Sequence, residues 1–124
     1  MIRLPVNPAQ AVLLFNLVSN AVMRRAAELR DLGYAPDRDT GVRGLARVRA
    51  ELHPKCYDDE TIHLVELDAP DAELFLSVLY REVRSRIERL QALGMHPEHD
   101  KLVLSMHSTI NGIQLRLRSE RSDV

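Results

Sequence analysis

Two long segments, each an apolar stretch followed by a Leu-Gly pair and a proline three residues after the glycine, constrain the fold of this chain most. They occupy residues 2–39 and 63–100, so one constant offset along the chain relates the first segment to the second. A glycine adopts the left-handed conformation that ends many helices without steric cost, and the following proline prevents continuation. Each segment therefore predicts a helix of about 25 residues, about 37 Å long, that ends at Gly33 or Gly94.

The same offset relates the residues on either side of these glycines. Leu32 corresponds to Leu93, and the other matched pairs are Pro36 with Pro97 and Asp39 with Asp100. A short run of alternating apolar residues, typical of a half-buried strand, precedes each helix: Ile2, Leu4 and Val6, then Val65 and Leu67. We interpret residues 1–124 as a single domain with an internal repeat, 1–55 and 62–119.

Helix start signals follow both strands. Asn7, Pro8 and Gln10 form the pattern of a capping box, and Asp68 with Pro70 is a looser version. The two predicted helices therefore begin directly after the predicted strands.

The C-terminal region contains Asn111-Gly112 between two alternating runs, which is a strong hairpin signal. We therefore expect two strands there. A helical alternative places apolar residues on one stripe but puts Asn-Gly and β-branched residues inside a helix; its stripe is Val103, Met106, Ile110, Ile113 and Leu117.

Residues 42–52 alternate between apolar side chains and Arg47, Arg49 and Glu51, which favours a strand and leaves a short helix as the alternative. The predicted fold class is α+β. Duplicated β-α-β(β) units would place two long helices against a small antiparallel sheet, a plan related to the ferredoxin-like fold.

The predicted helices carry more apolar surface than one small sheet can cover. Residues 11–22 and 73–80 are apolar on more than one face, whereas strands of six residues cover only about 20 Å. We therefore predict an oligomer, most simply a homodimer whose helices pack on their symmetry mates. The alternative is that the helices pack on each other within one chain.

Charge and aromatic content disfavour two classes of partner. The 17 basic and 18 acidic residues give a net charge of −1, which provides no general attraction to nucleic acids or acidic membranes. Phe15, Phe75 and Tyr80 fall on predicted helices, so the sheet lacks a base-stacking platform for RNA. The absence of an 18-residue apolar run and of a signal-peptide pattern leads us to expect a cytoplasmic protein.

Arginines two residues apart follow both predicted helices. On strands, Arg47/Arg49 and Arg116/Arg118 would each point to one side, and His107 would lie opposite Arg116 in the hairpin. Planar guanidinium groups bind phosphate oxygens bidentately. These residues are therefore our candidates for a site that binds a small anionic ligand.

Histidine and cysteine pairs allow a second kind of site. His53-x-x-Cys56 and His96-x-x-His99 have the gap of zinc-binding pairs, but they lie in separate loops and their convergence stays open. We expect no metal or other cofactor. Cys56 with His53 lacks a third, orienting group, and the chain has no glycine-rich phosphate loop, so we assign no catalytic residue, and an enzymatic activity is left open without support from the sequence.

The layout resembles the phage proteins that defeat the Thoeris defence system by sequestering a cyclised ADP-ribose signal. The strand IRLPV, two long helices and the arginine-bearing segments LARVRAEL and IQLRLRS carry the resemblance. It implies a non-enzymatic oligomeric sponge that holds a nucleotide between chains with arginines, and it assigns specificity contacts to the loop of His96 and His99. The alternative function is a structural or protein-interaction subunit without a small-molecule site.

Overall fold

The computed structural model describes residues 1–56 and 62–122 of the chain. This part is mostly helical, with four helices and one small antiparallel sheet, so the α+β class is confirmed. The elements in chain order are β1 Ile2–Val6, α1 Pro8–Asp31, α2 Thr40–Leu52, β2 His63–Leu67, α3 Ala69–Ala92 and α4 Lys101–Ser122. Single 3₁₀ turns lie at Pro36–Arg38, Pro54–Cys56 and Pro97–His99.

The sheet consists of β1 and β2, as the alternating runs predicted. Leu4 lies opposite Val65 at the centre of the register. Both strands bury every second side chain, because the alternating geometry of a strand directs these residues toward the helices. Arg3 and Glu66 face each other on the outer side, with Nε and Oε1 3.6 Å apart.

The predicted ends of the long helices are confirmed. The Asn7 side chain accepts from the backbone N–H of Gln10 at 2.8 Å, and the Gln10 side chain accepts from the Asn7 N–H at 3.0 Å. Asp68 precedes α3 without capping it through its side chain. Gly33 and Gly94 adopt φ angles of +83° and +72°, which only glycine accommodates readily.

The hairpin predicted around Asn111-Gly112 is wrong, and the helical alternative is correct. α4 buries one stripe, namely Val103, Met106, Ile110, Ile113 and Leu117. Gly112 lies inside the helix rather than in a turn, and a Cβ there would lie 3.3 Å from Cδ1 of Leu4. The glycine therefore leaves room for the Leu4 side chain beside α4.

The strand predicted within 42–52 is also wrong, and its helical alternative is correct. α2 buries Val42, Leu45, Val48 and Leu52 against the core, at the three- and four-residue spacings of a helix face. The sheet of the described chain therefore has two strands, and the ferredoxin-like plan loses the further strands on which it depended.

Each long helix, α1 or α3, runs away from the sheet, and the shorter helix that follows it, α2 or α4, runs back toward the sheet. Arg25 of α1 contacts Asp39 before α2, while the rings of Phe15 and His53 lie 5.3 Å apart near the other end of this pair. α4 returns to β1, where Gly112 meets Leu4. The two turns, residues 32–39 and 93–100, therefore lie away from the sheet, and we call them together the distal end.

The helices also pack on each other within the chain. Arg24 of α1 and Glu82 of α3 form an ion pair with Nη2 and Oε1 3.2 Å apart, and Phe75 of α3 is completely buried in the core. In the described part of the chain, no helix combines the length and apolar character needed to cross a bilayer.

Candidate functional site

Arg47 holds α2 on the start of α3. Its Nε and Nη2 donate to the two carboxylate oxygens of Asp71 at 2.8 and 2.9 Å, and the Asp71 side chain is only 7% exposed. This bidentate contact raises the pKa of Arg47. Gly44 lies one turn earlier, and a Cβ there would come within 2.3 Å of Leu74 Cδ1. Arg47 thus supports a close helix–helix contact.

Arg116 holds α4 on β1. Its Nε donates to the backbone carbonyl of Arg3 at 2.6 Å, and its Nη1 donates to the carbonyl of Gly112 at 3.0 Å. These two acceptors lie on different elements. Arg116 therefore stabilises the packing of the helix beside the strand.

The two predicted arginine ladders are wrong, because both segments are helices. Residues two apart on a helix point about 200° apart, so Arg49 diverges from Arg47 and Arg118 from Arg116. Arg118 is exposed. The structure therefore does not bring the four guanidinium groups together as predicted.

His107 does not lie opposite Arg116 either. The two residues are nine positions apart on α4, which corresponds to about 13.5 Å along the axis and about half a turn around it. His107 is exposed, whereas Arg116 is partly buried beside β1.

The histidine loop at the distal end is exposed. The rings of His96 and His99 lie 6.0 Å apart, edge to face, and Nδ1 of His96 is 3.3 Å from Oε1 of Glu98. His53 and Cys56 follow α2 and do not join them: across residues 1–56 and 62–122, no three His, Cys, Asp or Glu side chains are placed to share a metal ion. The Cys56 Sγ donates to the Leu52 carbonyl at 3.4 Å, and burial raises the pKa of its thiol.

Sequence reasoning missed two equivalent contacts at the distal end. Asp39 accepts from Arg25 Nε at 2.6 Å and caps the N–H of Val42 at 2.9 Å. Asp100 accepts from Arg86 Nε at 2.7 Å and caps the N–H of Val103 at 3.0 Å. The available signal was Pro-x-x-Asp, present at 36–39 and again at 97–100, where the aspartate is a helix N-cap.

These contacts predict acid sensitivity. The hydrogen bonds from Arg86 and then from Val103 lower the pKa of Asp100 to about 2. Because the folded state lowers this pKa, the stabilisation is complete above the unfolded value of about 3.9 and is lost as the pH falls toward 2. We expect Asp100→Asn to be less stable than wild type near neutral pH, and the difference to shrink between about pH 4 and pH 2.

Urea unfolding at a series of pH values measures this difference. Asp37→Asn is a suitable control, because Asp37 is exposed and caps no helix. A stability gap between wild type and Asp100→Asn that stays constant down to pH 2 would show that Asp100 does not act through its charge.

Three of the concavities in the described part of the chain are candidate places for a ligand or partner. A cleft of about 120 Å³ between α1, α2 and α3 is lined by Arg24, Arg25, Glu28, Arg81 and Glu82 among others, so it mixes both charges and is smaller than the usual ligand pocket of about 300–1,000 Å³. An open trough of about 690 Å³ follows α3 at Tyr80, Arg81, Arg84, Ile87 and Gln91. A hollow of about 600 Å³ lies at the distal end beside Leu29, Tyr34, Ala35 and Arg38.

The chain matches no protein-family model, no curated protein and no solved structure. Its function is therefore inferred from the geometry of the described residues.

Proposed function

We propose that this protein is a non-enzymatic, self-associating interaction subunit. The observation that carries the proposal is the apolar surface of the distal end, where Leu32 is 72% exposed, Tyr34 65%, Leu93 74% and Met95 55%. Four large apolar side chains exposed on the two turns of the distal end support a protein–protein contact. Covering them would remove apolar area from water and stabilise an assembly.

The use of the arginines supports an interaction subunit over an anion-binding site. Most charged contacts in the fold join one element to another, as in Arg24–Glu82 between α1 and α3. The arginines that pair with a described acid are Arg3, Arg24, Arg25, Arg47, Arg86 and Arg121. A guanidinium already paired with a carboxylate has less to offer to a phosphate.

Nucleotide sequestration, the function implied by the resemblance to the Thoeris antagonists, is the second candidate. The trough along α3 favours it, because Tyr80 offers an exposed aromatic ring beside Arg81 and Arg84. An aromatic face stacks on a base and arginine binds phosphate. A nucleotide would then bind along one face of α3 rather than on the strands predicted from the sequence.

Duplication of a β-α-α unit is our explanation of the architecture. β1, α1 and α2 begin at Ile2, Pro8 and Thr40, and β2, α3 and α4 begin at His63, Ala69 and Lys101, so one offset relates all three pairs of elements. The Arg25–Asp39 contact recurs at the same offset as Arg86–Asp100. Such a unit cannot bury its strand alone, and the pairing of β1 with β2 completes the sheet.

Native mass spectrometry of protein purified directly from cells separates the two functions. We expect an even-numbered assembly of the 14.1 kDa chain without additional mass. An assembly that carries a co-purified nucleotide would favour sequestration instead, provided that the Arg84→Ala variant lacks the nucleotide and the control variant Arg43→Ala retains it. A monomer at every concentration would contradict self-association.

A further inference from the structure

The two strands of the sheet differ at their outer edges, the edges that face away from the partner strand. Nε of Arg116 donates to the carbonyl of Arg3 at 2.6 Å, so Arg3 directs its backbone groups away from β2, and so does Pro5, two residues later. The carbonyl of Arg3 is therefore already occupied, and Pro5 has no N–H to donate. Both features protect the outer edge of β1 from the addition of a further strand.

Leu64 and Glu66 form the equivalent edge of β2. They lie opposite Pro5 and Arg3, and in an antiparallel pair the backbone groups of two opposed residues point either both inward or both outward. Glu66 is also the residue one repeat offset after Pro5, and unlike proline it has an N–H. Within residues 1–56 and 62–122, no group forms a hydrogen bond with the outward N–H or C=O of Leu64 or Glu66. Both residues therefore keep a donor and an acceptor for a further strand.

The difference between the two edges follows from the lengths of the helices that return to the sheet. α4 continues to Ser122, nine residues beyond Ile113, and Arg116 lies in this extension. α2 ends at Leu52, the position equivalent to Ile113. The equivalent of Arg116 is Lys55, which lies past the end of α2 and makes no hydrogen bond to β2 in the described chain. No described group therefore does for β2 what Arg116 does for β1.

The surroundings of the outer edge of β2 are acidic. A hollow of about 260 Å³ lies between α2 and the end of β2, and its exposed acidic residues are Glu51, Glu66 and Asp68. Arg47, which also lines this hollow, is already paired with Asp71. Glu51 and Asp68 make no ion pair with any described residue. A strand added at this edge would therefore meet an excess of negative charge.

We propose that the outer edge of β2 binds an extended, basic segment of another protein by strand addition. The segment becomes a third strand, so Leu64 and Glu66 exchange backbone hydrogen bonds with it. Lysine or arginine side chains of the segment face Glu66 and Glu51, and an apolar side chain covers Leu64, which is 53% exposed. A second copy of β2 fits less well, because it brings the same acidic side chains to this edge. The site lies at the sheet, away from the distal end, and does not depend on the self-association proposed above.

A fluorescently labelled peptide of alternating lysine and valine, about six residues long, tests the site by fluorescence anisotropy. We expect saturable binding, and we expect a peptide of alternating glutamate and valine to bind at least about tenfold more weakly. Glu66→Pro gives β2 the feature that protects β1, and it should weaken binding of the lysine peptide about tenfold or more. Glu66→Gln is the matched control, because it removes the same charge but keeps the N–H, and it should weaken binding less. Circular dichroism verifies that both variants fold.

Hydrogen exchange of the wild-type protein, followed by NMR, distinguishes strand addition from attraction by charge alone. The lysine peptide should slow exchange of the N–H groups of Leu64 and Glu66 at least about tenfold and leave the N–H of Arg3 unchanged. The proposal would be overturned by absence of binding, by equal binding of the two peptides, by binding without this protection, or by Glu66→Pro binding as tightly as Glu66→Gln. Protection of the same N–H groups at high protein concentration without peptide would overturn the proposed occupant and assign the edge to a second copy.

Discussion

Ile113→Ala is expected to lower the free energy of unfolding by about 2–5 kcal/mol, whereas Leu115→Ala is expected to change it by less than about 0.5 kcal/mol. Ile113 is completely buried and Leu115 is 66% exposed. The two residues lie on one helix and point about 200° apart. Only the first substitution leaves a cavity in the core.

Urea denaturation of both variants decides between helix and hairpin. The predicted hairpin would place Ile113 and Leu115 on the same face, because residues two apart on a strand point the same way. Similar losses of stability in the two variants, with unchanged urea dependence, would therefore contradict the helical assignment of α4.

Gly44→Val is expected to lower the free energy of unfolding by about 1–3 kcal/mol. A Cβ at this position would lie 2.3 Å from Cδ1 of Leu74 and 3.1 Å from Oδ1 of Asp71. The side chains of Leu74 and Asp71 would have to move to make room for the added methyl groups, which would weaken the bidentate contact of Arg47 with Asp71. Valine is a slightly better helix former than glycine, so helix propensity alone predicts the opposite sign.

Ala50→Val is the matched control, because Ala50 is exposed on the same helix. Its cost should be limited to the small propensity difference between alanine and valine. If thermal unfolding showed Gly44→Val to be as stable as wild type, the close approach of α2 and α3 at this glycine would be contradicted.

The first part of each half was predictable because local signals there agree with each other. Asn7 and Gln10 cap α1, alternation marks β1 and β2, and Gly33 and Gly94 end the long helices. Each of these features depends on residues close in sequence. Strand alternation, helix caps and helix-ending glycines can therefore be predicted without knowledge of the rest of the fold.

The second part of each half was not predictable from alternation alone. In α4, Ile110 and Ile113 fit both a strand face and a helix stripe, so the two periods could not be separated. Gly112 looked like a turn residue, but it lies within α4 beside Leu4, which is near the other end of the chain. The N-caps Asp39 and Asp100, which mark the starts of α2 and α4, were not recognised.

The candidate site depended entirely on those assignments. Once α2 and α4 are helices, Arg47 and Arg116 become residues that hold one element to another, and Arg49, His107 and Arg118 no longer converge with them. The exposed Leu32 and Leu93 were visible as a repeated pair, but only the structure shows that they lie outside the described core.

Sedimentation equilibrium of the purified wild-type protein over a wide concentration range tests the central claim of self-association most directly. We expect a reversible transition to twice the chain mass of 14.1 kDa as the concentration rises. Because the distal surface is mainly apolar, we also expect that added salt does not raise the dissociation constant as it would for a purely ionic contact. A mass of one chain at every concentration would contradict the claim.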